Sequence, residues 1–395
     1  MSLAGGREHV AIPGPSVIPD RVLAAMHRSM PDIYGDELLA VSDEIYVELP
    51  RIAGMHDGRV FVTISNGHGA WEMAISNTLS RGDKVLVLES GRFAVTWGEM
   101  AAFSGVKTEV LHAPERRPVD PLAVEARLRA DITREIKAIF VVYTDTASSV
   151  MNDIPAIRRA IDAADHPALL MVDCIASMGA ERYEMDAWGV DLTLAASQKA
   201  LMVPPGLGFV WAGPRALAAH RHADLRTGYF DWTARTLDGP HYLRYGGTMP
   251  VAHLYGLREA LTMIRTEGLA NVWARHAALA DAVRVAVEAW ATPGGIELNV
   301  VDPSARSNAV TTVLTGSIDA TRLSEMCVAQ AGLTLGTGIG DLAGRAFRIG
   351  HMGHINPPMI LGALGTIEAA LIAMEAPIGS SGIAAATRSI ARALR

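Results

Sequence analysis

Two residues carry the chemistry this chain could do. Asp173 closes the apolar run Ala168-Leu-Leu-Met-Val-Asp173, and Lys199 ends the polar turn Ser197-Gln-Lys199. A carboxylate at the carboxyl end of a buried strand, followed one structural unit later by a lysine at the end of another, suits pyridoxal phosphate (PLP). The lysine amine condenses with the aldehyde, and the carboxylate keeps the pyridine nitrogen protonated so that the ring accepts electrons from a carbanion. Each residue alone has an ordinary alternative: an Asp ending a strand caps the next helix, and a Lys in a loop is a solvated charge.

The surrounding pattern places both at strand ends. Asp83 to Glu89, Ile136 to Tyr143, Ala168 to Val172 and Leu207 to Trp211 are short apolar runs that read as buried strands. Between them lie helical patterns such as Ile154 to Ala164, with Ile154, Ile157, Ala160 and Ile161 on one face. Strand alternating with helix predicts an α/β fold with a mostly parallel sheet covered on both faces, whose sites form at the carboxyl ends of strands. A long helix from Met249-Pro250 to Glu267 and another from Val272 to Trp290 lead into a mixed region, residues 296 to 375, read as a smaller C-terminal α+β domain. The expected organisation is an N-terminal arm (1–20), a large domain (21–260) and a small domain (261–395), with a hinge near 250 to 270.

Composition narrows the partners. The formal net charge of -7 and the lack of a basic run argue against nucleic acid. No apolar stretch reaches the length of a spanning helix, and the first residues lack a signal-peptide core, so no membrane and a cytoplasmic location are expected. Two cysteines, Cys174 and Cys327, make neither a disulfide framework nor a four-ligand zinc site. His351 and His354 have no acidic or cysteine partner at ligand spacing, so no metal is expected. The glycines of Gly336-Thr-Gly-Ile-Gly340 come late and with the wrong spacing for a dinucleotide-binding turn, which weighs against a dehydrogenase.

Two more segments could bind anions. Asn66-Gly67-His68 follows the apolar Val60-Phe-Val-Thr-Ile64 and opens a helix, so its amides suit a phosphate, although a plain glycine turn reads the same way. His68 is expected to act through its amide. Arg348 is the one arginine of the apolar run Ala346-Phe-Arg-Ile-Gly-His-Met-Gly353. A buried guanidinium needs a carboxylate, either from a substrate or from a neighbouring Asp or Glu.

These blocks are collinear with others: Ile12-Pro-Gly-Pro-Ser16, Pro204-Pro-Gly206, Tyr245-Gly-Gly-Thr248 and Tyr255-Gly-Leu-Arg-Glu259. Together they resemble the fold-type I, class V aminotransferases, in the alanine:glyoxylate and serine:glyoxylate branch. The resemblance implies PLP on Lys199, with Asp173 at the ring nitrogen and Asn66, Gly67, His68 and Gln198 among its contacts. It implies Phe93 stacked on the ring, Thr146 or Ser148 at the phenolic oxygen, and Arg348 with Gly14 at the substrate, Arg348 holding its α-carboxylate. It also implies a homodimer in which Tyr245 and Thr248 reach the neighbouring subunit's cofactor phosphate. The implied reaction moves an amino group from alanine, serine or aspartate to glyoxylate or pyruvate. Pyridoxamine:pyruvate transamination and a class V lyase such as a cysteine desulfurase relative are the alternatives. The chain departs from its relatives twice: Ser149 stands where the motif ends in glycine, and Pro31-Asp-Ile-Tyr-Gly-Asp36 replaces a His-Arg pair.

Overall fold

The computed structural model describes residues 2–235 and 237–395. Its strands are β1 (His9–Ala11), β2 (Arg59–Ser65), β3 (Lys84–Glu89), β4 (Lys107–His112), β5 (Ile136–Val142), β6 (Leu169–Asp173), β7 (Leu192–Ala196), β8 (Gly206–Ala212), β9 (Glu297–Leu298), β10 (Val310–Leu314), β11 (Leu333–Thr337) and β12 (Ala346–Gly350). Seven of them form one sheet in the order β2-β8-β7-β6-β5-β3-β4. All its pairs are parallel except the two made by β8. The other five form a sheet in the order β1-β11-β12-β10-β9.

The large sheet is covered on both faces, which is why its central strands are apolar throughout instead of alternating with polar residues. Successive side chains still part to opposite sides. Val60, Leu86, Ile139, Leu170 and Val172 join one core, while Phe61, Val85, Phe140, Leu169 and Met171 join the core on the other face. A third core gathers around the small sheet.

Some helices begin at a side-chain cap. The helix Ile154–Ala163 starts after Asp153, whose carboxylate accepts the Ala156 amide, and Pro155 sits in its first turn. The helix expected from Met249 begins at Val251, and the next spans Leu269–Trp290, longer at its start than expected. Only Gly268, at φ 85°, separates the two. Val272 still packs with the large core, whereas Leu279 onward packs with the small one, so the chain changes cores along this second helix.

The N-terminal segment does not lie loose. β1 pairs in parallel with Leu333 to Leu335 at the edge of the small sheet. Beyond it, Ser16 donates its amide to Gln198 O and its hydroxyl to Lys199 O, at 2.8 and 2.6 Å. The late glycine run leaves the end of β11, where Gly336 lies opposite Arg348.

Candidate active site

Because β6 and β7 are parallel neighbours, their carboxyl ends share one edge of the sheet, and Asp173 and Lys199 meet there. They line a cavity of about 210 Å³ together with Asn66, Gly67, His68, Phe93, Thr146 and Gln198. Trp71, Val142, Thr144, Ile175 and Ala176 complete its wall, none of them expected from the sequence.

Asp173 is 2% exposed. Its Oδ2 accepts the Trp71 indole N–H at 2.8 Å and its Oδ1 the Ile175 amide at 2.6 Å. Burial still wins over these donors and pushes its carboxyl up to about 7, with the Asp145 charge adding to the rise. The Lys199 amine draws it down only in part, so a protonated ring nitrogen placed here would add the counter-charge that keeps the carboxylate ionised. Trp71 itself stacks on Trp97, and Trp97 on Phe140 at 4.2 Å, so the carboxylate is steered by an indole fixed in an aromatic column.

Lys199 experiences the opposite shift. Burial and the nearby Arg348 charge bring its amine down to about 8, partly opposed by Asp173. Its Nζ donates to Pro13 O. Gly14 lies against it: a Cβ there would sit 2.5 Å from Nζ, and the φ of +96° also favours glycine. The N-terminal segment therefore walls the lysine.

Arg348 points back from β12. Its Nε donates to Thr337 O at 2.7 Å and its Nη1 to Thr146 O at 2.8 Å. It makes no salt bridge among the described residues, so the protein-carboxylate alternative is not realised. The two carbonyls use one N–H each, leaving the Nη1/Nη2 edge with donors for a carboxylate.

Thr146 lines the cavity and Ser148 does not. The Ser148 hydroxyl donates to Ser90 O at 2.7 Å and accepts the Val150 amide, so it braces the loop. Ser149 explains the family's glycine. It sits at φ 64°, a left-handed conformation costing roughly 1–2 kcal/mol with a side chain, offset here by a hydroxyl bond to Thr312 Oγ1.

Asn66 caps the helix Gly67–Thr78 by accepting the His68 amide at 3.0 Å. The amide expected to face an anion is thus already used, and a phosphate there must share it. Gly67 packs closely against the cavity wall: a Cβ there would lie 2.3 Å from Ile175 Cδ1 and displace that side chain. Phe93 sits at the start of the helix Arg92–Phe103, held by its amide to Asp145 Oδ2 at 2.8 Å.

Tyr245 and Thr248 are not brought to this cavity. Tyr245 is fully buried, with its hydroxyl 2.7 Å from Ser42 Oγ of its own chain. Thr248 is exposed, with no side-chain hydrogen bond among the described residues.

The sequence reading missed Asp145, a buried carboxylate accepting the amides of Phe93 and Ala147. Gly91 was the available signal, since a Cβ there would meet Asp145 Cγ at 2.3 Å.

The cavity fits PLP by its unsatisfied groups. Gln198 Oε1 and Thr144 Oγ1 are both buried without a hydrogen-bond partner among the described residues, and both residues line it. A ligand with polar oxygens satisfies such atoms, and a carboxylate facing an amine of lowered pKa matches a ring nitrogen and an aldehyde. Neither cysteine lines the cavity. Burial pushes the Cys174 thiol well up and Cys327 to about 11, unlike a thiol that attacks. Both ring nitrogens of the buried His351 are taken, by Asn308 O and Thr311 Oγ1.

Comparison with known proteins agrees with this chemistry. Residues 15–341 match the family described as aminotransferase class-V. The chain is 40% identical to a serine–glyoxylate aminotransferase of Methylorubrum extorquens, over 97% of this chain and 96% of that one. It is 36% identical to an L-aspartate–glyoxylate aminotransferase of Paracoccus denitrificans, over 95% and 94%. The crystal structure of pyridoxamine-pyruvate aminotransferase from Mesorhizobium loti superposes with a TM-score of 0.89 at 25% identity, covering 99% of this chain and all of that one. Likeness of this extent, on a fold that puts Asp173 and Lys199 at one sheet edge, makes this chain an aminotransferase and a member of the class-V family.

Proposed function

We propose that the enzyme moves the amino group of a small amino acid, alanine, serine or aspartate, to glyoxylate or pyruvate, with PLP bound at Lys199. The observation that carries this reading is the junction of three charges: the buried Asp173, the depressed amine of Lys199, and Arg348 without an acidic partner among the described residues. When bound, the cofactor supplies the electron sink that acidifies the substrate α-proton and stores the amino group between half-reactions. Asp173 holds the proton on the ring nitrogen. Arg348 takes the substrate α-carboxylate on its Nη edge, and Gly14 leaves room beside the amine. Lys199 Nζ moves the proton from the α-carbon, and an amine titrating near pH 8 keeps a basic fraction for this at neutral pH. Phe93 screens the ring from water, Thr146 and Gln198 supply polar contacts, and the Asn66–His68 turn faces the phosphate.

The test is a panel of amino acids with glyoxylate and pyruvate, read as single-turnover loss of the cofactor's visible absorbance. Alanine, serine or aspartate should discharge it, and glyoxylate or pyruvate should restore it. Pyridoxamine with pyruvate forms a separate arm: turnover there alone replaces this reading with pyridoxamine:pyruvate transamination.

The working unit in this reading is a homodimer, with the exposed Thr248 serving the neighbouring subunit's cofactor. Sedimentation of the holoenzyme tests this. Two free, buried cysteines suit a reducing cytoplasm, and no helix among the described residues is long and apolar enough to cross a membrane.

A further inference from the structure

Glu181 is a carboxylate that the reaction does not use, yet it is 2% exposed and lies where the two sheets' loops meet. It ends a compact turn that starts at Asp173. Ser177 and Met178 donate their amides to Cys174 O, and Ala180 and Glu181 donate theirs to Ser177 O. Glu181 is thereby tied to Asp173, Ile175 and Ala176 of the cavity wall.

Opposite it is the segment entering β10. Ser307 Oγ donates to Glu181 Oε1 at 2.9 Å, Asn308 Nδ2 donates to Oε2 at 2.8 Å, and the Asn308 amide also donates to Oε1. Asn308 is then held from the far side. Its Oδ1 accepts from Arg284 Nη2 at 2.8 Å, and its carbonyl accepts from His351 Nδ1 at 2.9 Å. His351 directly follows β12, the strand of Arg348, and Thr312 of β10 lies opposite Arg348. Around this junction Ala176, Ala180 and Ala200 pack against Ala309, Val310 and Met352, so the two backbones approach closely.

We propose that Glu181 is a positioning residue for the amino-acid carboxylate: it pins Asn308, and through it β10 and β12, where Arg348 reaches a substrate held at Lys199. The inference rests on the reading of Arg348 as the carboxylate anchor. A carboxylate suits the place because every partner is a donor. In Glu181→Gln one oxygen becomes an NH₂ facing the Asn308 NH₂, donor against donor, and the junction must shift. A guanidinium fork pairs with a carboxylate only in a narrow bidentate geometry, so a shift of the strand that carries it weakens the pair. The double change Glu181→Gln/Asn308→Asp restores the full pattern, because the new amide then donates to a carboxylate that still accepts from Arg284.

The experiment measures, in the holoenzyme, KM and kcat for the amino donor and the affinity for propionate, an unreactive carboxylate. Glu181→Gln should raise KM and weaken propionate on the order of tenfold with kcat within about threefold, and the double variant should recover both. Asn308→Ala, which cuts the same link from the other side, should reproduce the KM rise. In an Arg348→Ala background Glu181→Gln should add nothing further. If Arg348→Ala raises KM but Glu181→Gln and Asn308→Ala leave it within about twofold, the positioning role fails and the anchor stands. An equal added loss in the Arg348→Ala background also overturns it, in favour of a purely structural role. If Arg348→Ala leaves KM unchanged, the anchor reading falls and this inference with it.

Discussion

The two corners of the active site are built in opposite ways. Asp173 and Lys199 belong to adjacent parallel strands of one sheet, and their surroundings are set by hydrogen bonds within that sheet and its covering helices. Arg348 sits on the other sheet and touches the first corner mainly through one carbonyl, Thr146 O. The cofactor end is therefore rigid by construction, while the substrate end is only as accurate as the contact between two cores. Damage to the first should appear in the chemical step and damage to the second in substrate affinity.

The largest effect tests the first corner. Lys199→Ala should lower kcat on the order of 10⁴-fold or more while PLP is still retained noncovalently, checked by gel filtration and absorbance. Borohydride treatment of the wild-type holoenzyme should leave cofactor mass on the Lys199 peptide, and label on another lysine contradicts the assignment. Asp173→Asn should lower kcat on the order of 10³-fold, with KM much less changed; a loss of under about tenfold removes Asp173 from the ring nitrogen.

At the second corner the pattern should invert. Arg348→Ala should raise KM for the amino donor about 100-fold, as expected for loss of charge-assisted hydrogen bonds of about 2–3 kcal/mol. Since the Arg348 charge also depresses Lys199, the same variant should move the amine's titration in the cofactor-free protein upward from about 8, readable in the pH dependence of pyridoxal addition.

A smaller effect lies in stability. Burial raises the Asp173 carboxyl to about 7, above its unfolded value, so between about pH 4 and 7 the folded chain binds the extra proton. Wild-type cofactor-free protein thus loses this contribution as pH rises through that window. Asp173→Asn, which does not titrate, should gain in Tm relative to wild type from pH 4 to pH 7. A pH-independent difference would mean that Asp173 is ionised throughout. Smallest of all, Ser149→Gly relieves the left-handed backbone but deletes the Thr312 hydrogen bond, so its Tm should change by no more than corresponds to about 1 kcal/mol.

The same contrast explains what could be read from the sequence. β6 is buried along its whole length, so five apolar letters ending in Asp located Asp173, and the turn after β7 located Lys199. β7 itself went unnamed because Leu192 to Ala196 has two alanines and a threonine, and β4 because it is an edge strand with alternating exposure. β1 has three residues and a partner at Leu333, which no local period reveals. Ser148 and Thr146 have the same chemistry in sequence, and what separates them is the cavity, which only Thr146 lines, and the Ser148 bond to Ser90 O. The Tyr245 contact with Ser42 could not be read because the two are remote in the chain. Asp145 and Glu181 were passed over because a buried carboxylate and a solvated one are written with the same letter.

The N-terminal strap also sets an order of assembly. His9 to Ala11 leave the ribosome well before the strand they pair with, Leu333–Thr337, which follows on the order of 300 residues later, roughly 15 to 60 s at synthesis rates of about 5–20 residues per second. The large sheet can form in that interval with Lys199 already at its edge. Pro13 and Gly14 can be anchored over the lysine from both sides only after β11 exists, so the newborn chain passes through a period in which its reactive amine is formed but not yet enclosed.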